Sequence, residues 1–146
     1  MKRLLDFIYP SFCIFCSCKI EFKDIFCETC SSYLILEMDD SVLYILEENP
    51  IAVTYLKFIR NYLPTKHIKV LASFAVVKYF RLFKKYPVCI SSSKNMLANL
   101  TAKNTARLLK CSFKRDLSIF RRKKLEKEEL IFFHLKDGSI IKLTII

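Results

Sequence analysis

Cys13-Ile14-Phe15-Cys16 and Cys27-Glu28-Thr29-Cys30 bring four thiols into eighteen residues as two C-x-x-C pairs, ten residues apart. A pair with two intervening residues sets both sulfurs on one tight turn. Two such turns can close on a single ion with the tetrahedral, all-thiolate coordination that zinc takes. Two rival readings exist. Free cysteines pack as small hydrophobes in a core, and a redox C-x-x-C occurs, but singly and beside a βαβ pattern. Two correctly spaced pairs favour the metal, with Cys13, Cys16, Cys27 and Cys30 as ligands. Cys18 is a fifth thiol inside the first turn and can stand in for Cys16, so that position stays open between the two.

A module of this size cannot bury enough apolar surface to fold alone, and zinc binding would supply the missing free energy. The rest of the 146 residues can build a core of its own: 53% of the chain is hydrophobic, with thirteen Phe and seven Tyr. The single glycine counts against phosphate-binding loops, which are built from glycine. Seven cysteines is an odd number, and their spacing suits metal better than a disulfide framework, which implies a reducing, cytoplasmic compartment. The first ten residues imitate a signal peptide, but Asp6 interrupts their apolar run and Pro10 ends it. No uncharged apolar run reaches membrane-spanning length, so a soluble protein is expected.

The net charge of +11 is unevenly spread. Residues 1–50 carry −5, residues 51–80 carry +5 and residues 81–124 carry +12, with Asp116 as the one acid in that last stretch. A basic middle behind an acidic metal module suggests an anionic partner, either nucleic acid or a phosphorylated small molecule. A solvated lysine-rich surface explains the charge equally well. Lys94 and the run Arg121, Arg122, Lys123, Lys124 are the candidate phosphate contacts, with Phe113 or Phe120 available to stack on bases. The bland alternative for the run is an exposed turn.

Periodicity orders the rest of the chain. Residues 4–9 read as a short amphipathic helix ended by Pro10. Ile20, Phe22, Ile25 and Phe26 read as short strands between the cysteine pairs. Residues 33–48 alternate weakly between apolar and acidic, and Asn49-Pro50 marks a boundary. A helix follows with Tyr55, Leu56, Ile59, Tyr62 and Leu63 on one face, stopped by Pro64. A second helix, over residues 65–85, points Ile68, Leu71, Ala72, Ala75, Val76, Tyr79 and Phe83 inward. Residues 87–90 read as a buried strand and Ser91-Ser92-Ser93 as the loop after it. A third helix spans residues 94–110, with Leu97, Leu100, Leu108 and Leu109 apolar. Residues 116–120 suggest a strand. Residues 130–135 and 140–146 are β-rich runs around Asp137-Gly138, the strongest hairpin signal present. An isoleucine-rich edge strand there would be a self-association site. His67 and His134 lack metal-ligand spacing to other donors, Cys89 and Cys111 sit in apolar contexts as packed thiols, and no catalytic triad or dyad is visible.

The stretch LLDFIYPSFCIFCSCKI…IFCETCSSYL resembles the amino-terminal end of the ComF family: a Leu-Leu-Asp helix, a proline, two C-x-x-C knuckles, then a phosphoribosyltransferase domain. The resemblance is specific over residues 4–34 and looser through PIAVTYLKFIRNYLPTKHIKVLASFAVV and YPVCISSSKNMLANLTAKNTARLLK. It implies an α/β fold with a zinc-ribbon-like module over residues 1–48, followed by a truncated phosphoribosyltransferase-like (Rossmann-like) domain over residues 49–146. It further implies a role in DNA uptake and transformation, with single-stranded DNA or a competence helicase as partner.

The chain departs from the family where catalysis would reside. The family's Pro-Val-Pro is Ile90-Ser91-Ser92 here, and its Arg-Gly-Phe-Asn-Gln is Leu97-Ala98-Asn99-Leu100-Thr101. Two acidic residues followed by Thr-Thr-Gly hold phosphoribosyl diphosphate in the family. The sole Asp-Asp here, Asp39-Asp40, is followed by Ser-Val-Leu, and Gly138 lies in Lys-Asp-Gly-Ser. Transfer depends on positioning an anionic substrate and stabilising the departing pyrophosphate, so no catalytic residue is assigned. The expectation is a non-catalytic, truncated or degenerate member. The alternatives are a divergent phosphoribosyltransferase that uses Ser91, Ser92, Ser93 and Lys94 as its phosphate loop, or a decayed gene product.

Overall fold

The computed structural model describes residues 11–21, 24–39, 44–87, 89–92, 95–114, 130–136 and 140–145. It is a mixed α/β protein with a cysteine cluster near its amino terminus. Two short strands, β1 (Ser11–Phe12) and β2 (Lys19–Ile20), pair antiparallel around the first cysteine turn. The four-residue helix α1 (Glu28–Ser31) carries the second pair. Ile25 and Phe26 lie in bends, in contrast to the expected strand. Phe26 is buried and its ring meets that of Tyr55 at 5.8 Å, so the segment turns inward to anchor on the helices. Beyond α1, Leu36 and Leu46 form an isolated antiparallel bridge, and Ile45 and Leu46 enter the core.

Helix α2 (Pro50–Tyr62) begins where Asn49 caps it. The Asn49 Oδ1 accepts from the Ala52 N–H at 2.8 Å, and Pro50 at the first helical position needs no hydrogen-bond partner. Asn49 Nδ2 also donates to the Tyr33 carbonyl at 2.9 Å, which fastens the helix start to the segment after α1. Ile51, Ala52, Tyr55, Leu56 and Ile59 form the buried stripe. Tyr62, expected on that face, is 72% exposed because it is the last residue of the helix and overhangs the core; its ring lies 5.2 Å from Phe58. Leu63 stops the helix at φ 47°, and Pro64 leads into α3 (Thr65–Phe83). Ile68, Leu71, Ala72, Ala75 and Tyr79 are buried as the helical period requires, and so is Lys78.

Strand β3 (Cys89–Ser92) is buried at all four positions. Ser91 and Ser92 therefore belong to the strand rather than to the loop after it. Their hydroxyls are satisfied inside the protein: Ser91 Oγ donates to the Lys114 carbonyl at 2.8 Å, and Ser92 Oγ accepts from Asn99 Nδ2 at 3.2 Å. Helix α4 (Met96–Leu109) is capped by Asn95, whose Oδ1 accepts from the Leu97 and Ala98 N–H groups. Its inward face is Leu97, Ala98, Thr101, Ala102, Thr105, Ala106 and Leu109, so small residues let the helix approach closely. Leu108, expected inside, is 54% exposed, because that inward arc runs through Thr101 and Thr105 instead.

A short strand β4 (Ser112–Lys114) follows, and the sheet is completed by β5 (Leu130–Lys136) and β6 (Ile140–Ile145). The strand order is β4-β3-β5-β6. β3 runs parallel to β4, with α4 as the crossover between them, and parallel to β5. β6 returns antiparallel to β5, as a hairpin of the two β-rich runs requires, while the turn expected at Asp137-Gly138 lies outside the described residues. α4 packs against α3 and against β3, β4 and β5. One buried cluster extends from Cys13, Phe26 and Cys30 through Ile45 and Leu46 to α2, α3, β3 and α4. The expected helix over residues 4–9 and the expected strand over residues 116–120 lie outside the described residues.

Candidate metal centre

The two cysteine pairs are presented by different backbone devices. The first sits in the loop of the β1–β2 hairpin, closed by the Cys13 N–H to the Cys18 carbonyl at 2.8 Å and the Ser17 N–H to the Cys13 carbonyl at 2.9 Å. Ser17 makes this turn possible by adopting φ 60°, a left-handed conformation that costs a non-glycine residue strain. The Ile14 N–H reaches the Ile25 carbonyl at 3.0 Å and draws the hairpin onto the second half of the site. The second pair starts a helix, so the expected ribbon of two matching turns is not what forms. Cys27 is the N-cap of α1, and its sulfur accepts the Cys30 N–H at 3.4 Å, as a Ser or Asp oxygen would. Two residues between cysteines suit either device, because the third residue after an N-cap faces back toward it.

These devices bring Cys13, Cys16, Cys27 and Cys30 together, with ligand atoms all within 4.8 Å of one another. The Cys16 and Cys27 sulfurs are 3.6 Å apart. Zinc–sulfur bonds of about 2.3 Å in a tetrahedron imply sulfur–sulfur edges of about 3.8 Å, so the Cys16–Cys27 pair already stands near that edge and the set as a whole can close on one ion of this kind with small side-chain shifts. Cys13 and Cys30 are buried, while Cys16 is exposed and Cys27 half-buried. The site is therefore rooted in the core on one side and reachable from solvent on the other.

Its electrostatics are uneven. Burial opposes ionisation of Cys13, but the N–H groups of Cys16, Cys27 and Phe15 and the Cys16 thiol outweigh it and lower the thiol to about 6. The Cys30 N–H, acting against desolvation, lowers Cys27 as well. Burial, followed by the thiols of Cys27, Cys16 and Cys13, pushes Cys30 up. Cys13 and Cys27 are thus the sulfurs whose surroundings favour the thiolate, and Cys30 the one whose surroundings disfavour it. Cys18 lies outside the tetrad. Its thiol faces those of Cys16 and Cys27, which push it up to about 12.

The other candidate residues fare differently. Lys94, Arg121, Arg122, Lys123 and Lys124 lie outside the described residues. Cys89 is buried, and Cys111 is half-buried with its thiol pushed up by burial and then by Cys89, as packed thiols should be. His67 binds Tyr55 through Nδ1 at 3.2 Å, beside a cleft of about 180 Å³ that Phe26 and Tyr55 also line. Sequence reasoning missed Lys78. Fully buried in α3, its Nζ donates to the Glu37 and Asp39 carbonyls at 2.8 and 2.6 Å. Arg81, one turn on, donates to Met38 Sδ at 2.8 Å. The segment that leaves the metal module is thus fastened to α3.

Comparison of the chain with protein-family models, with curated proteins and with solved structures finds no match. Among the described residues no helix is long and apolar enough to cross a membrane.

Proposed function

We propose that the protein is a zinc-stapled, non-catalytic relative of the ComF proteins, acting in the cytoplasm as a binding component of DNA uptake and transformation. The observation that carries this reading is the four-cysteine cluster packed into the same core as the helices. Zinc there would hold the amino-terminal module rigidly against α2 and α3, as a docking surface or a nucleic-acid contact. The parallel β3–α4–β4 unit with β5 beside it is compatible with a phosphoribosyltransferase-like domain. A thiol-rich metal site suits a reducing compartment.

The non-catalytic part rests on what the residues offer. The chain has no acidic pair followed by Thr-Thr-Gly. Of the substitute phosphate loop, Ser91 and Ser92 are occupied inside β3 by Lys114 and Asn99. Isothermal calorimetry with phosphoribosyl diphosphate at millimolar concentration is expected to give no heat. Saturable heat would favour the divergent transferase instead.

Lys94 and the basic run make single-stranded DNA the first partner to test, with a competence helicase second. Anisotropy with a labelled single strand should show salt-sensitive binding. Neutralising Arg121, Arg122, Lys123 and Lys124 together should weaken it and flatten its log–log salt slope by about 0.7 for each phosphate no longer neutralised. Unchanged affinity and slope would remove the run from the interface and turn the search toward the protein partner.

A further inference from the structure

The two edges of the four-stranded sheet are unlike. β4 is three residues long, a short edge that offers little to pair with. β6 is six residues long, Ile-Ile-Lys-Leu-Thr-Ile, with one charge and neither proline nor glycine. It pairs with β5 on one side, and among the described residues no strand lies beyond it. Its outward N–H and C=O groups form a pairing template of the kind that proteins normally blunt with charge, proline or a bulge.

We propose that two copies of the chain join through this edge, β6 against β6 antiparallel, with the two-fold axis at Leu143. A second copy is the occupant because of how the strand matches itself. An antiparallel pair about an axis normal to the sheet keeps each face continuous, so residues of one alternation must meet residues of the same alternation. Within the hairpin the register aligns Ile131 with Ile145, Phe133 with Leu143 and Leu135 with Ile141, so one alternation is apolar throughout. An axis at Leu143 sets Ile141 opposite the second copy's Ile145 and extends that apolar row across the junction. It also sets Lys142 opposite Thr144, twice by symmetry. Moving the axis to Lys142 would place two lysines face to face and leave Ile145 without a counterpart, which cross-strand energetics disfavour. The contact is isologous and closes as a dimer, giving one sheet of eight strands.

The test is sedimentation equilibrium of the full, zinc-loaded chain across a wide concentration range. The expected mass is twice the 17.2 kDa of the chain. Thr144→Glu places a carboxylate opposite Lys142 at two symmetric positions and should tighten the dimer. Thr144→Lys should loosen it, each by about two- to thirtyfold in dissociation constant. These opposite signs come from polar substitutions at a polar position, so they do not depend on disturbing the apolar row. A monomer at every concentration overturns the proposal. So does an open-ended series of larger masses, or a dimer that both substitutions leave unchanged or shift in the same direction.

Discussion

The N–H of Cys30 points at the sulfur of Cys27 across 3.4 Å, and this contact turns the second C-x-x-C into the start of a helix. It stabilises a negative sulfur at Cys27 before any ion arrives, while Cys30 itself is rooted in the core. The metal site and the hydrophobic core therefore share residues, and the behaviour of one should report on the other.

Lys78 tests how that junction is held. Its ammonium is buried and donates to the carbonyls of Glu37 and Asp39. Lys78→Met keeps the apolar stem but deprives both carbonyls of their donor. It should lower stability in urea unfolding by about 1–3 kcal/mol. Exposed Lys69, on the same helix, changed to Met should shift it by less than about 0.5 kcal/mol.

Lys84 ends α3 at φ 51°, in the left-handed region where a Cβ is strained. Glycine takes that conformation freely and is the usual residue just past a helix end. Lys84→Gly should raise stability by about 1 kcal/mol, seen as an upward shift of a few degrees in thermal melting. A drop would mean that the greater freedom of glycine in the unfolded chain outweighs the relieved strain.

His67 should titrate below the ordinary histidine range, because burial and then the charge of Lys66 disfavour the imidazolium. The native state then binds fewer protons than the unfolded chain. The stabilising contribution of neutral His67 is present above about 6.5 and is lost as pH falls through the lowered value. Solvent screening keeps the effect small, since the ring is only half-buried. Proton NMR of the ring should find the lowered midpoint, and Lys66→Gln should move it part of the way back.

What the sequence revealed was local in origin. The cysteine spacing, the boundary at Asn49-Pro50, the helical period of Leu56, Ile59, Leu71 and Ala75, and the pairing of the two late β-rich runs as a hairpin are all encoded within a few residues, and each appears in the structure. What escaped depended on distant partners. Nothing near Lys78 announces its burial, because its acceptors lie 41 and 39 residues away. Ser91 and Ser92 read as loop because serine is common there, but the Lys114 carbonyl and Asn99 satisfy them within the core. β4, with half-buried Phe113 between exposed Ser112 and Lys114, is too short to show an alternation. The N-cap role of Cys27 was hidden because sulfur is not among the usual capping atoms.

The most direct test of the account is metal analysis of the purified chain alongside single cysteine substitutions. Wild type, Cys18→Ser and Cys111→Ser should each carry about one zinc per chain. Cys16→Ser and Cys27→Ser should lose it, together with the amide-exchange protection of residues 11–39. Equal zinc content in wild type and Cys27→Ser would contradict the assignment of the tetrad, and with it the zinc staple on which the proposed function rests.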